Sequence, residues 1–459
     1  MDAKDLQVVD ELRKAKKYAD AEALLRKSWA AAPEPEVGWR LALCLRHQAR
    51  LAEAGKLLGE CLEQWPQHEW VRNEVLWLAH DAELKPAVAA LDLAKAEAAA
   101  KRMLAMGAKD LGLRRAVFGV VKVAKARGAW DRLLDWIERL DPATLDRAPR
   151  EYDGRDVPSE FAQWHFARVK ALLELERWQD ALLAAQDAQA LFPGQRDFLR
   201  WGALALAELG DVAEALRELR AASARDPQCW YLHDSISELA ERAGDLDEAL
   251  LEGCRAAQGP GQTKAKIKLV ERLGRLFLEA GDAPNAMAHA LLATQIRARE
   301  GWPVRVPHDE LLRRATAEAG ESGPRDLPFR DLVQWCEHAW RRVVNEARPL
   351  VSGAVAKLPE GKPFGFLHAD DGAEYFVLLR DIPASLRQVG RRVAFRLEPS
   401  YDRKKGKESL RAVEVAAEGS VPPPAPRRRV ERPRASAPPP SAPAQRRRPP
   451  IDDDPLLDV

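Results

Sequence analysis

Three phenylalanines near the end of the chain, Phe364, Phe366 and Phe376, are the residues whose type and spacing could do chemistry, and that chemistry is non-covalent. A single strand of nucleic acid exposes base faces, and a flat ring on a strand surface stacks on any of them for about 1 to 3 kcal/mol each. In "KPFGFLHADDGAEYFVLLRDI" the two-residue period of a β-strand puts Phe364 and Phe366 on one face. Phe376 stands beside them on the next strand, and Tyr375 and Val377 point the other way. Lys357, Lys362 and Arg380 flank the rings, and the loop "DRKKGK" adds Arg403, Lys404, Lys405 and Lys407, all able to meet phosphates. His368, the residue after "KPFGFL", is placed to contact a base or phosphate. The competing role for the three rings is barrel core, but Leu367, Val377 and Val393 already supply inward positions.

Covalent chemistry has no comparable set. The sequence holds no Walker-type glycine loop, H-E-x-x-H helix or G-x-S-x-G elbow. Its five cysteines, Cys44, Cys61, Cys229, Cys254 and Cys336, never form a C-x-x-C pair, so reduced thiols are expected and neither a metal nor a cofactor is. His165 and His289 fall inside helical patterns without a nucleophile or carboxylate at a telling spacing. The reading is a non-enzyme.

The rings need strands to hold them, yet most of the chain before them is helical. From Leu350 to Val415 the pattern becomes five short runs of β-formers, "SGAVAKL", "FGFLHA", "EYFVLL", "RRVAFRLE" and "LRAVEVA", bounded by Gly and Pro. Five strands with no helix to cover them close best on themselves, as a small barrel. Upstream, "LGDVAEAL", "AGDLDEAL" and "AGDAPNAM" share a Gly-Asp turn followed by an alanine five residues after the glycine. Those alanines, with one after "ERWQD", are Ala181, Ala215, Ala249 and Ala286, and the first three lie 34 residues apart. A helical hairpin explains them: glycine ends the first helix, aspartate caps the second, and the small alanine lets the two approach. Proline, as at Pro193 and Pro227, closes the second helix. Ala21 and Ala54, like Pro33 and Pro66, are 33 apart, and the signature blurs over residues 67–148.

The hairpin pattern resembles the tetratricopeptide repeat, carried best by "FLRWGALALAELGDVAEALRELRAASARDP" and "LVERLGRLFLEAGDAPNAMAHALLA". That resemblance implies a groove for a protein partner. The clamp that grips a chaperone's terminal carboxylate in this family needs Lys and Asn at positions that here carry Arg200 and Leu204, Asp234 and Glu238, Glu271 and Arg275. No such clamp is expected. The terminal strands resemble the cold-shock domain, a compact OB-fold that binds single strands, over Gly353, Val355, "KPFGFL", "DDG", "EYFVLLRDI" and "LRQVGRRVAFRLE". Lys357, Leu378 and Leu379 stand where that family carries aromatic or histidine residues, and Pro363 replaces a glycine, which implies weaker and more electrostatic binding.

The expected fold is therefore mostly α: a tetratricopeptide-type helical solenoid, then a small five-stranded all-β OB barrel, then a disordered tail. The divisions are degenerate repeats over 1–148, clear repeats over 149–300, capping helices over 301–345, the barrel over 346–418 and the tail over 419–459. Basic and acidic residues nearly balance at 72 to 71, but the positive excess lies in the C-terminal quarter. The tail carries eight arginines among prolines, which suit sequence-blind affinity for RNA or DNA and equally a solubilising linker. It ends in "IDDDPLLDV", which loosely resembles the acidic tip of bacterial single-strand DNA-binding proteins. No apolar run reaches a membrane span and the N-terminus has no apolar leader, so a cytoplasmic protein is expected. The functional expectation is an adaptor that binds an unidentified protein through its repeats and single-stranded RNA or DNA through barrel and tail. The alternative is a pure protein-interaction scaffold.

Overall fold

The computed structural model describes residues 1–152, 155–303, 306–348, 350–402 and 407–420. The described residues form two compact units, one from Met1 to Leu209 and one from Gly210 onward. The first holds helices α1 (Ala3–Lys14), α2 (Tyr18–Ala31), α3 (Pro35–His47), α4 (Leu51–Gln64), α5 (Glu69–Ala79) and α6 (Lys85–Ala89). It continues with α7 (Leu93–Ala105), α8 (Asp110–Arg127), α9 (Trp130–Ile137), α10 (Glu160–Glu174), α11 (Trp178–Leu191) and α12 (Arg196–Glu208). A short antiparallel hairpin, β1 (Arg150–Tyr152) and β2 (Arg155–Val157), lies between α9 and α10, where the sequence suggests only a loop. The second unit holds α13 (Val212–Arg225), α14 (Trp230–Ala243), α15 (Leu246–Gln258), α16 (Ile267–Glu279), α17 (Ala283–Glu300), α18 (Val306–Ala319) and α19 (Phe329–Glu346). Five strands follow: β3 (Leu350–Lys357), β4 (Phe364–Ala369), β5 (Glu374–Leu378), β6 (Arg392–Asp402) and β7 (Lys407–Ala417). The molecule is thus a mostly helical, tetratricopeptide-like array followed by a closed five-strand barrel.

One local rule repeats through the helices. Ala21, Ala54, Ala96, Ala181, Ala215, Ala249 and Ala286 are each the fourth residue of a helix, and all are fully buried; Leu133 takes that place in α9. Five residues before each of these, the backbone is left-handed. Glycine supplies that turn at Gly128, Gly210, Gly244 and Gly281, with φ of 64°, 105°, 82° and 77°. At Lys16, Ala49, Leu91 and Glu176 the same turn is made by residues with a Cβ, at φ of 58°, 60°, 52° and 57°. Asp92, Asp211, Asp245 and Asp282 then cap the next helix through their carboxylates. The blurred segment therefore keeps both hairpin turns, one with its glycine at Gly128 and one without it at Leu91. A five-residue π-helical turn, His80–Leu84, joins α5 to α6 and lengthens the interval from Ala54 to Ala96.

The last helix is tied into the second unit by two indoles. Trp340 donates to Nε2 of His289 at 2.7 Å, so the ring donates from Nδ1 to the carbonyl of Asn285, also at 2.7 Å. Trp335 donates to the Asn285 side chain at 2.9 Å. Burial pushes His289 down to about 4, which keeps it the neutral acceptor that Trp340 requires. The histidine thus serves packing. The second candidate, His165, lies among Phe161, Trp164 and Phe192 and is likewise pushed down to about 4 by burial.

Candidate nucleic-acid interface

The barrel closes in the order β3-β4-β5-β7-β6, with β6 returning to β3 and every pair antiparallel except β5 with β7. This Greek-key order is consistent with an OB-like fold. Val355, Leu367, Val377, Ile382, Val393, Phe395, Ala412 and Val415 fill the interior. Two glycines permit the close crossings. A Cβ on Gly365 would lie 2.6 Å from Leu358 and 2.7 Å from the carbonyl of Lys357, and one on Gly353 would strike the carbonyl of His368.

With the interior filled, the three phenylalanines take the outer face. Phe366 lies directly opposite Phe376 across β4 and β5, and Phe364 lies opposite Leu378. The three rings touch one another, with centroids 5.4 to 6.1 Å apart, and each is half-buried and outside the barrel core. Tyr375 turns inward and packs on Phe395, as the strand period predicts. The register break in β3 brings Lys357 opposite Phe366, on the same face and exposed. Lys362 is exposed in the β3–β4 connection and Arg380 in the turn after β5, where it lies 3.9 Å from Asp381. His368 continues the outer face of β4, exposed and opposite Glu374.

Other sequence candidates are not brought into this geometry. Arg403, Lys404 and Lys405 lie outside the described residues, as do the arginine clusters and the acidic tip of the tail. Lys407 begins β7, and its side chain is also outside them. The face has a polarity that the sequence did not display. At the β4–β5 turn Arg392 is held between Asp370 and Glu418, and its guanidinium keeps both carboxyls below their usual range. That end is acidic and already paired, whereas Lys357 lies opposite Phe366, and Lys362 and Arg380 lie toward Phe364.

Arg396 does a different job. Buried on β6, it donates to the carbonyls of Glu346 and Arg348 at the end of α19 and lies 3.7 Å from Glu414. A cation at a helix C-terminus is favourable, and here it fastens the barrel to the last helix. No local pattern marks this contact, because it joins residues 50 apart in different classes of element.

The positions of the carboxylate clamp are engaged internally. Asp234 and Glu238 on α14 bind Arg272 of α16, at 2.6 and 3.3 Å, and Arg275 binds Glu241 at 3.3 Å. Glu271 holds Arg297 at 2.7 Å, while Arg200 and Leu204 are buried. Among the described residues no group of three His, Cys, Asp or Glu side chains is placed to hold a metal, and no helix is long and apolar enough to cross a membrane. The five cysteines are buried, and none of them is joined in a disulfide among the described residues.

No protein-family model matches the chain, and no curated protein matches it. Solved structures are similar at low identity. The human IFIT1 dimer with m7Gppp-AAAA has a TM-score of 0.34 and 13% identity, over 73% of this chain and 80% of that one. A tetratricopeptide repeat protein from Parabacteroides merdae ATCC 43184 gives 0.31 and 13%, over 68% and 98%. YrrB, a TPR protein with an unusual peptide-binding site, gives 0.31 and 16%, over 44% and 90%. At these scores the helix pairs and their buried alanines, seen directly in this chain, remain the ground for its repeat fold.

Proposed function

We propose that this protein is a non-enzymatic adaptor whose helical repeats engage a protein partner and whose barrel binds single-stranded RNA or DNA. One observation carries the second half: three mutually touching phenylalanines sit on the outer face of a barrel whose interior is already full. Apolar rings half-exposed on a strand surface have no packing duty left, and flat rings beside exposed cations fit stacked bases and their phosphates. The tail's arginines suit the same ligand, since a tethered second contact becomes intramolecular. The protein partner is a property expected of helix-pair arrays in general, whose stacked repeats build extended binding surfaces.

Fluorescence titration of a labelled oligonucleotide against the full chain tests the barrel. Alanine at Phe364, Phe366 or Phe376 should each cost about 1 to 3 kcal/mol of affinity while leaving the salt dependence nearly unchanged, because a ring is lost and a phosphate contact is not. A protein that binds no single strand even at low salt leaves the interaction scaffold as the function.

A further inference from the structure

An apolar groove opens on the first unit. Leu51 and Ala52 of α4 form one wall, Arg102 and Met106 of α7 the other, and Val75, Leu78 and Ala79 of α5 the floor. Ala82 and Glu83 of the π-helical turn complete it, and such turns inside helices recur at functional sites. The groove holds about 280 Å³, and Leu51, Val75, Leu78 and Met106 are each only half-buried along it. Both walls are the second helices of their pairs, entered through the left-handed residues Ala49 and Leu91, whereas the clamp positions lie on the first helices α12, α14 and α16. The groove is therefore a different surface from the one that carries those positions. Its α7 side is basic: Lys101, Arg102 and Lys109 are exposed, and from Ala98 to Lys109 the chain has no acid. Arg72 adds a further cation there, donating to the carbonyls of Ala105 and Met106 at 3.4 Å. Two acids at the groove are already matched, Glu83 by Arg102, and Glu53, next to Ala52, by Arg26 and Arg50.

The chain itself carries the complement. Past Val430, the large apolar side chains of the tail are Ile451, Leu456, Leu457 and Val459, and they stand among Asp452, Asp453, Asp454 and Asp458. We propose that this segment docks in the groove of its own chain, with Leu456 and Leu457 between α4 and α7 and the aspartates against Lys101, Arg102 and Lys109. The proline-rich residues 421–450 that precede it span about 3.1 Å each, a reach of about 90 Å, so the segment is not confined to the barrel. A groove of this size makes a weak contact by itself. The tether raises the local concentration of the segment toward the order of mM, where a weak contact is populated. The tail is then held at both ends, and the arginines from Arg427 to Arg448 are carried on a closed loop. The inference is independent of the base-stacking reading of the barrel.

Photocrosslinking of the dilute full chain tests this. The photoreactive residue p-benzoylphenylalanine replaces Ala52 at the groove, Lys101 beside it or, as a control, Asp20 on α2, all three exposed. After irradiation and digestion, the probes at Ala52 and Lys101 should be joined to residues 451–459 of the same chain, several-fold more than the probe at Asp20. Leu456→Ser with Leu457→Ser, which lie outside any described core, should abolish that adduct at unchanged circular dichroism. With the probe at Ala52, Lys101→Glu with Lys109→Glu should reduce it. Absence of the adduct from both groove probes would overturn the proposal, and so would an equal yield at Asp20, which marks random collision. Persistence of the adduct in the double serine variant would overturn apolar docking. Adducts found only between two chains would make a second copy the occupant and refute docking within the chain.

Discussion

Replacing Glu176 by glycine should stabilise this protein, although it deletes a charged side chain and inserts the residue least suited to order. Glu176 holds φ 57° between α10 and α11, with its N–H on the carbonyl of Leu173 at 3.1 Å and that of Arg177 on Leu172 at 2.9 Å. A residue with a Cβ gives up about 1 to 2 kcal/mol in the left-handed region. Glycine escapes that cost and gives back about 0.5 to 1 kcal/mol through its greater freedom when unfolded. The net gain is about 0.5 to 1 kcal/mol, and the same holds at Lys16, Ala49 and Leu91. The four sites lie in different helix pairs, so the quadruple variant should gain about 2 to 4 kcal/mol by addition. Gly244→Ala, at φ 82° with nothing within 4 Å of the new methyl, should lose about 1 kcal/mol by the same reasoning run backwards. Urea unfolding followed by circular dichroism reads both. A lower midpoint for the quadruple glycine variant would refute the claim that these residues occupy the hairpin's glycine position.

Ala215→Trp, at a fully buried position of α13, should cost about 1 to 3 kcal/mol by overpacking, read from the same melts. Gly365→Ala should weaken the barrel, since its methyl would meet Leu358 and the carbonyl of Lys357 inside contact distance; loss of the barrel's signals in a heteronuclear spectrum checks it. His289, held near 4 when folded, takes up its proton at higher pH when unfolded. The unfolded state therefore binds more protons between about pH 6.5 and pH 4, and stability should be whole above that window and fall through it, by about 3 kcal/mol in all. Urea midpoints measured across those pH values should show the fall, and a His289→Gln variant should lack that share of it.

The repeats were legible where aspartate follows the turn glycine, as at Gly210, Gly244 and Gly281, and less so at Gly128, which Ala129 follows. "AGDLDEAL" announces its hairpin because Gly244, Asp245 and Ala249 each have one physical duty. "KKYADAEA" and "ERWQDALL" make the same turn with Lys16 and Glu176, so their signature fades while their geometry does not. The segment around Ala96 was hidden further by the π-helical turn, which changes the interval and has no compositional mark. In the barrel, strand periodicity placed Phe364, Phe366 and Tyr375 on their correct sides, because alternation is a local property. Arg396 could not be placed that way. It depends on how the barrel meets α19, which arises only when distant segments come together.

The central claim is that bases stack on the three phenylalanines, and ultraviolet crosslinking asks this of the atoms concerned. The full chain, irradiated with a single-stranded oligonucleotide and digested for mass spectrometry, should carry its nucleotide adducts on the segment from Phe364 to Phe376, and the triple alanine variant should lose them. Adducts confined to the tail or the helical repeats, with the phenylalanine segment unmodified, would contradict the account.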